Sequence, residues 1–116
     1  MSDEERRGAP RINRRFMVKY RKPGETAWMM SPIKDMSATG IRFIGETTYQ
    51  KNTVLELQLF LPTSTEPIGL SGVVKWEHGS AYTMGEHGIE FADLTPDQRE
   101  RLKVATAFFL KKRESD

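Results

Sequence analysis

From Phe16 to Phe91 the chain is written in short alternating runs of apolar and polar residues, and no helical period interrupts them. A side-chain period of two marks a half-buried strand. Phe16, Val18 and Tyr20 share one face of the first run, with Arg15, Lys19 and Arg21 on the other. Lys22-Pro23-Gly24-Glu25 places proline and glycine as a type II turn requires. Residues 27–34 then give a return strand, Asp35 to Gly40 a loop, and Ile41 to Ile44 a short strand beyond it. Val54, Leu55, Leu57, Leu59 and Leu61 mark the next strand, with Glu56, Gln58 and Phe60 on its other face. After a polar loop at 62–67, residues 68–77 form another strand, in which Gly69 and Gly72 predict a bulge or a close crossing. Gly79 and Ser80 lead to strand segments at 82–84 and 88–91. Strands in succession without crossover helices pair as antiparallel neighbours, so the expected fold is an antiparallel barrel or sandwich.

One helix is expected, last in the chain, over about 95–112. Thr95 is its cap, Pro96 its first residue and Gln98 the partner in a capping box. Leu102, Ala105 and Phe109 fall on one face, and Val104 and Phe108 are expected to widen it. Lys111, Lys112 and Arg113 sit at the negative end of the helix dipole. This helix is expected to pack on the strands as a lid. Residues 1–13 contrast with the rest: they are polar, contain Gly8 and Pro10, and read as a flexible arginine-rich arm. Residues 14–113 then form one domain, and 114–116 a tail.

Composition removes several classes of function. With no cysteine there is no disulfide framework and no thiolate chemistry. No apolar run approaches the ~20 residues of a membrane helix, and the N-terminus has no apolar leader, so a cytoplasmic, membrane-free protein is expected. A net charge of +2 is too small for general nucleic-acid binding. His78, Glu86, His87 and Glu90 lack the spacing of a metal site. Ser37 has no base placed near it in sequence, and no enzyme is expected.

Two clusters carry chemistry. Arg6, Arg7, Arg11, Arg14 and Arg15 fall within ten residues, and no lysine appears before Lys19. Arginine in place of lysine favours planar, bidentate recognition of phosphate and of the guanine O6/N7 edge. Without a second cluster this would read as a solvated basic leader. The second is Asp35-Met36-Ser37-Ala38-Thr39-Gly40. A carboxylate can accept from guanine N1–H and its 2-amino group, and a hydroxyl can both donate and accept. Glycine lets backbone approach a ligand or take a positive φ. Asp-x-Ser is also common in turns, where both side chains bond local backbone N–H groups.

In this order, Arg7-x-x-x-Arg11 and Asp35-x-Ser37-x-x-Gly40 resemble the two motifs of the PilZ domain, a bacterial receptor module for cyclic di-GMP (c-di-GMP). Val74-Lys75-Trp76 resembles its late strand, and Gly88-Ile89-Glu90-Phe91 the strand before its C-terminal helix. The resemblance covers nearly the whole chain. It implies a six-stranded-type antiparallel β-barrel with a C-terminal helix, mainly β.

The same resemblance implies a ligand site made of Arg6, Arg7, Arg11, Asp35, Ser37, Gly40 and Trp76, with c-di-GMP as ligand and no cofactor. Arg11 and Arg15 are also four apart, but Arg11-Ile12 fits the family's position at the start of the first strand. An arginine at position 6 is associated in the family with a stacked pair of ligands, so two c-di-GMP molecules per chain are expected; its bland alternative is one more charge on the arm. Trp76 is either core or a base-stacking residue, and Trp28 is assigned to packing. Ordering of the arm would be the output, read by an unidentified effector protein. The chain is expected to be a monomer. The alternatives are a PilZ-like interaction module without nucleotide, or a small basic nucleic-acid-binding barrel.

Overall fold

A computed structural model gives the fold and describes residues 16–79 and 84–115. Its strands are β1 (Met17–Arg21), β2 (Met29–Met36), β3 (Gly40–Gly45), β4 (Val54–Phe60), β5 (Ile68–His78) and β6 (Gly85–Ala92). They close into an antiparallel barrel in the order β1-β2-β3-β6-β5-β4, with β4 returning to β1. Alternation sets which side chains fill it. Val18 and Tyr20 of β1, Phe43 of β3, Leu55, Leu57 and Leu59 of β4 and Val74 of β5 are all buried. The Lys22–Glu25 turn has Gly24 at φ 93°, closed by Glu25 N–H donating to the Lys22 carbonyl at 3.1 Å.

Two register shifts break the alternation. On β2, Ile33 faces Phe43 and Asp35 faces Arg42, so Lys34 is an extra residue opposite β3. On β5, Val74 faces Ile89 and Trp76 faces Gly88, so Lys75 is extra opposite β6. Each bulge reverses the phase of its strand. Ser31 and Ile33 point inward, yet Met36 rather than Asp35 follows them into the core. These bulges do not fall at Gly69 or Gly72, where the sequence placed a bulge or close crossing. Gly72 is the close crossing: a Cβ there would lie 2.5 Å from Ile89 Cγ2 and 2.9 Å from Leu57 Cδ1. A Cβ on Gly69 would meet nothing within 4 Å. The expected break between segments 82–84 and 88–91 is also corrected. β6 is continuous over Gly85–Ala92, and residues 80–83 lie outside the described residues.

The helix α1 (Pro96–Ser115) runs beyond the expected end near 112. Its capping box is formed: Gln98 N–H donates to Thr95 Oγ1, and Thr95 N–H to Gln98 Oε1, both at 3.1 Å. Gln98 Nε2 also donates to the Gly69 carbonyl at 2.9 Å, tying the first turn to β5. Leu102, Ala105 and Phe109 are buried, and the rings of Phe109 and Phe16 form an edge-to-face pair at 4.9 Å between centroids. Val104 does not widen this face, being 54% exposed, and Phe108 widens it only in part: its ring lies 6.2 Å from that of Phe16 between centroids but is 43% exposed. At about 100° per residue the two residues lie roughly 130° and 90° from its centre.

His87 of β6 is buried inside the barrel, stacked on Phe43 at 5.0 Å between ring centroids. Its Nε2 accepts from Tyr49 N–H at 2.9 Å, so the neutral ring carries its proton on Nδ1. Burial pushes the imidazole pKa below its ordinary 6.5. Between the folded pKa and 6.5 the unfolded chain therefore binds the extra proton, and stability falls as pH drops through that window. By pH 5.5 one such group can remove up to about 1.4 kcal/mol. Urea denaturation at pH 7.5 and 5.5 should show this loss in the wild type and a smaller one in His87→Gln. Equal acid sensitivity in the two proteins would refute the role of His87.

Candidate functional site

The outer barrel surface carries a shallow cleft of about 540 Å³ across β2, β3, β6 and β5. Asp35, Ser37, Gly40 and Trp76 all line it, though they come from positions far apart in the chain. The register explains how they meet. Asp35 faces Arg42, Arg42 faces Gly88, and Gly88 faces Trp76, forming one row across four strands. The two bulges matter here. Strict alternation from Ile33 and Val74 would turn Asp35 and Trp76 into the core; Lys34 and Lys75 shift the phase and turn both outward.

The second motif is less of a loop than its sequence suggested. Asp35 and Met36 end β2, Gly40 begins β3, and only residues 37–39 connect them. That connection is held by its own bonds. Ser37 N–H donates to the Gly40 carbonyl at 2.9 Å, and Ser37 Oγ accepts from Thr39 N–H at 3.2 Å. Phe91 N–H donates to the Thr39 carbonyl at 2.8 Å, fastening the turn to β6. Asp35 Oδ1 accepts from Met36 N–H at 2.9 Å. Local bonding and presentation to the cleft thus coexist in the same residues. Gly40 is not among the positive-φ residues, so conformational freedom is not its reason. A Cβ there would fall 2.2 Å from the Ile89 carbonyl oxygen, so it is close approach of β3 to β6 that requires glycine.

Trp76 is 44% exposed, which removes the core alternative for it. Its indole lies flat over Gly88: a Cβ on Gly88 would fall 2.1 Å from Nε1 and 2.3 Å from Cε2. The absent side chain is what seats the ring in the cleft. Gly88→Ala should therefore leave the barrel folded but displace Trp76. In a Trp28→Phe background this is expected as a changed fluorescence maximum with little change in unfolding midpoint. An unchanged spectrum would show that Gly88 does not seat the ring.

The charges in the cleft balance. Arg42 and Lys75 are offset by Asp35 and Glu90, two of each sign. Lys75 Nζ lies 3.4 Å from Glu90 Oε1, and Arg42 Nη1 donates to Glu86 Oε2 just outside the lining. Arg42 is a cleft residue that the sequence reading passed over. Its signal was present, as the outward charge between inward Ile41 and Phe43 immediately after the motif.

Arg6, Arg7 and Arg11 lie outside the described residues, as do Arg14 and Arg15. The carbonyl of Phe16 accepts from Ile33 N–H at 2.9 Å, on the neighbouring strand and two residues from Asp35. Among the described residues no group of three His, Cys, Asp or Glu could hold a metal ion. His87 faces inward while Glu86 and Glu90 face out. No helix among the described residues is long and apolar enough to cross a membrane.

Solved structures that share this fold include the following. MrkH from K. pneumonia aligns with a TM-score of 0.67 at 18% identity, over 88% of this chain and 48% of its own. The Bacillus subtilis inhibitor of motility, MotI/DgrA, aligns at 0.65 and 16%, over 84% and 48%. The PilZ domain of YcgR from Escherichia coli, solved with c-di-GMP, aligns at 0.64 and 10%, over 90% and 88%. The chain thus spans about half the length of MotI and MrkH. At these identities the likeness is one of fold. A search of curated proteins finds no match for the sequence. The sequence model of the PilZ domain matches residues 5–108, and the chain belongs to that family.

Proposed function

We propose that this protein is a c-di-GMP receptor whose cleft meets guanine and whose arginine arm meets phosphate. The observation that carries this is the convergence of Asp35, Ser37 and Trp76 on one outward cleft, beside the strand from which the arginine-bearing residues extend. Asp35 would accept from guanine N1–H and the 2-amino group, and Trp76 would flank the base. The cleft's own charges cancel, so a ligand with two phosphates needs cations from elsewhere. Arg7 and Arg11 can supply them. At up to about 3.6 Å per residue, the five steps from Phe16 to Arg11 reach ~18 Å and the nine to Arg7 ~32 Å. Both spans are long enough for guanidinium groups to cross β2 and close over the cleft.

Arg6 adds a third guanidinium, which suits a stacked pair of ligands with four phosphates; two c-di-GMP molecules per chain are proposed. An arm that orders on binding creates new surface, and an effector protein that reads it is the proposed output. The YcgR domain, solved with c-di-GMP, supports the reading through its shared fold.

Calorimetric titration tests the proposal, with cyclic di-AMP and single-stranded DNA as comparison ligands. Adenine presents an N1 acceptor and no 2-amino group, so the carboxylate would face a lone pair. Tight c-di-GMP binding at two per chain with far weaker binding of the others is expected. Equal affinity for the two cyclic dinucleotides would reduce Asp35 to a turn residue. A ratio of one would remove the role given to Arg6 and leave the receptor standing.

A further inference from the structure

We infer that Glu86 is a built-in competitor for Arg42, and that this ion pair sets the affinity of the cleft for its anionic ligand, a statement that rests on the receptor role proposed above. Arg42 occupies the middle of the row that runs from Asp35 to Trp76. Its cross-strand neighbour Gly88 has no side chain, and the indole of Trp76 covers that glycine. A base flanked by Trp76 and held by Asp35 therefore brings its sugar and phosphates over the Arg42 position. Guanidinium is the group such a ligand would seek there.

In the structure that guanidinium is already engaged. Arg42 Nη1 donates to Glu86 Oε2, and the two side chains are 34% and 32% exposed. This partial shielding strengthens the pair over a fully solvated one and keeps it within reach of exchange. Glu86 faces Ile44 in the register, two residues along β6 from Gly88 of the row, so its carboxylate borders the cleft without lining it. An incoming phosphate meets an arginine that must share its donors, next to a negative charge that repels it. Both effects weaken binding. Glutamine at position 86 would keep a carbonyl oxygen to hold Arg42 in place and remove the charge.

The receptor is thus tuned below the affinity its arginines could give. The surface pair Arg21–Glu56, at 2.8 Å, provides a control of the same chemistry outside the cleft.

Titration of c-di-GMP into the full chain tests this with Glu86→Gln, Arg42→Ala, the double variant and Glu56→Gln, each checked for folding by its unfolding midpoint. Glu86→Gln is expected to bind about tenfold tighter than wild type, from removal of one nearby like charge. Arg42→Ala is expected to bind at least tenfold more weakly, and Arg42→Lys to fall between, which keeps the test valid should the alanine variant be unstable. In the Arg42→Ala background the gain from Glu86→Gln should shrink, because the competition is for that guanidinium. Glu56→Gln should match wild type. Wild type that binds c-di-GMP while Glu86→Gln binds no tighter overturns the competitor role alone. Wild type that does not bind c-di-GMP overturns the receptor role, and this inference with it.

Discussion

Gly40→Ala is expected to lower the stability of the unliganded protein by about 3 kcal/mol or more, at the upper end of what overpacking costs. The reason is the identity of the atom in the way. The new methyl would sit 2.2 Å from the carbonyl oxygen of Ile89 and 3.3 Å from its carbonyl carbon. A side chain there could turn aside, but a backbone carbonyl in a paired strand cannot. Gly40 faces Glu90 and Ile41 faces Ile89, so moving β6 away strains the β3–β6 ladder at the end that also carries the Phe91–Thr39 bond. Gly69→Ala is the control. It sits on β5 with nothing within 4 Å of the built Cβ, and alanine restricts the unfolded chain more than glycine does. Its midpoint in urea should equal or slightly exceed wild type. If the two variants unfold alike, close approach is not what glycine provides at position 40. Lost ligand binding in Gly40→Ala would then need a direct contact to explain it.

The strands and the turn were legible because their signals are local. Leu55, Leu57 and Leu59 alternate through a strand that is regular from end to end, and Gly24 marks its own positive φ. The site was legible as a pair of motifs but not as a surface. Lys34 and Lys75 look like ordinary polar strand positions, and nothing in their neighbours announces that each is an inserted residue. Those insertions decide the orientation of Asp35 and Trp76. Counting by twos from Val74 makes Trp76 a core residue, which is why its role stayed open in the sequence. The single strand β6 was obscured in a similar way. Gly85 and Gly88 interrupt its apolar pattern, and buried His87 occupies an inward position that usually holds an aliphatic side chain. On the helix, apolar residues alone did not separate the buried stripe from its exposed flank. Phe16 meets Phe109 in an edge-to-face contact and Phe108, adjacent in sequence, more loosely at the half-exposed rim.

Arg7→Ala and Arg11→Ala are each expected to weaken c-di-GMP binding by about 30-fold or more, the usual scale for truncating one partner of a charge-assisted pair in a desolvated site. The balance of charge in the cleft is what makes the loss large. Arg42 and Lys75 are ion-paired with Glu86 and Glu90, so the share of their charge that reaches the ligand is reduced and does not replace a lost guanidinium. Truncation of either arm residue should also flatten the dependence of affinity on salt, since fewer cations then meet the phosphates. The unfolding midpoint without ligand should stay near wild type. Among the described residues the barrel is closed and its core filled without either arginine. Titrations at low and high salt, paired with thermal unfolding, separate the outcomes. Wild-type affinity in both variants would mean that the cleft holds phosphate by itself. Arg42 and Lys75 would then suffice as its cations, and the arginine run would be a solvated leader after all.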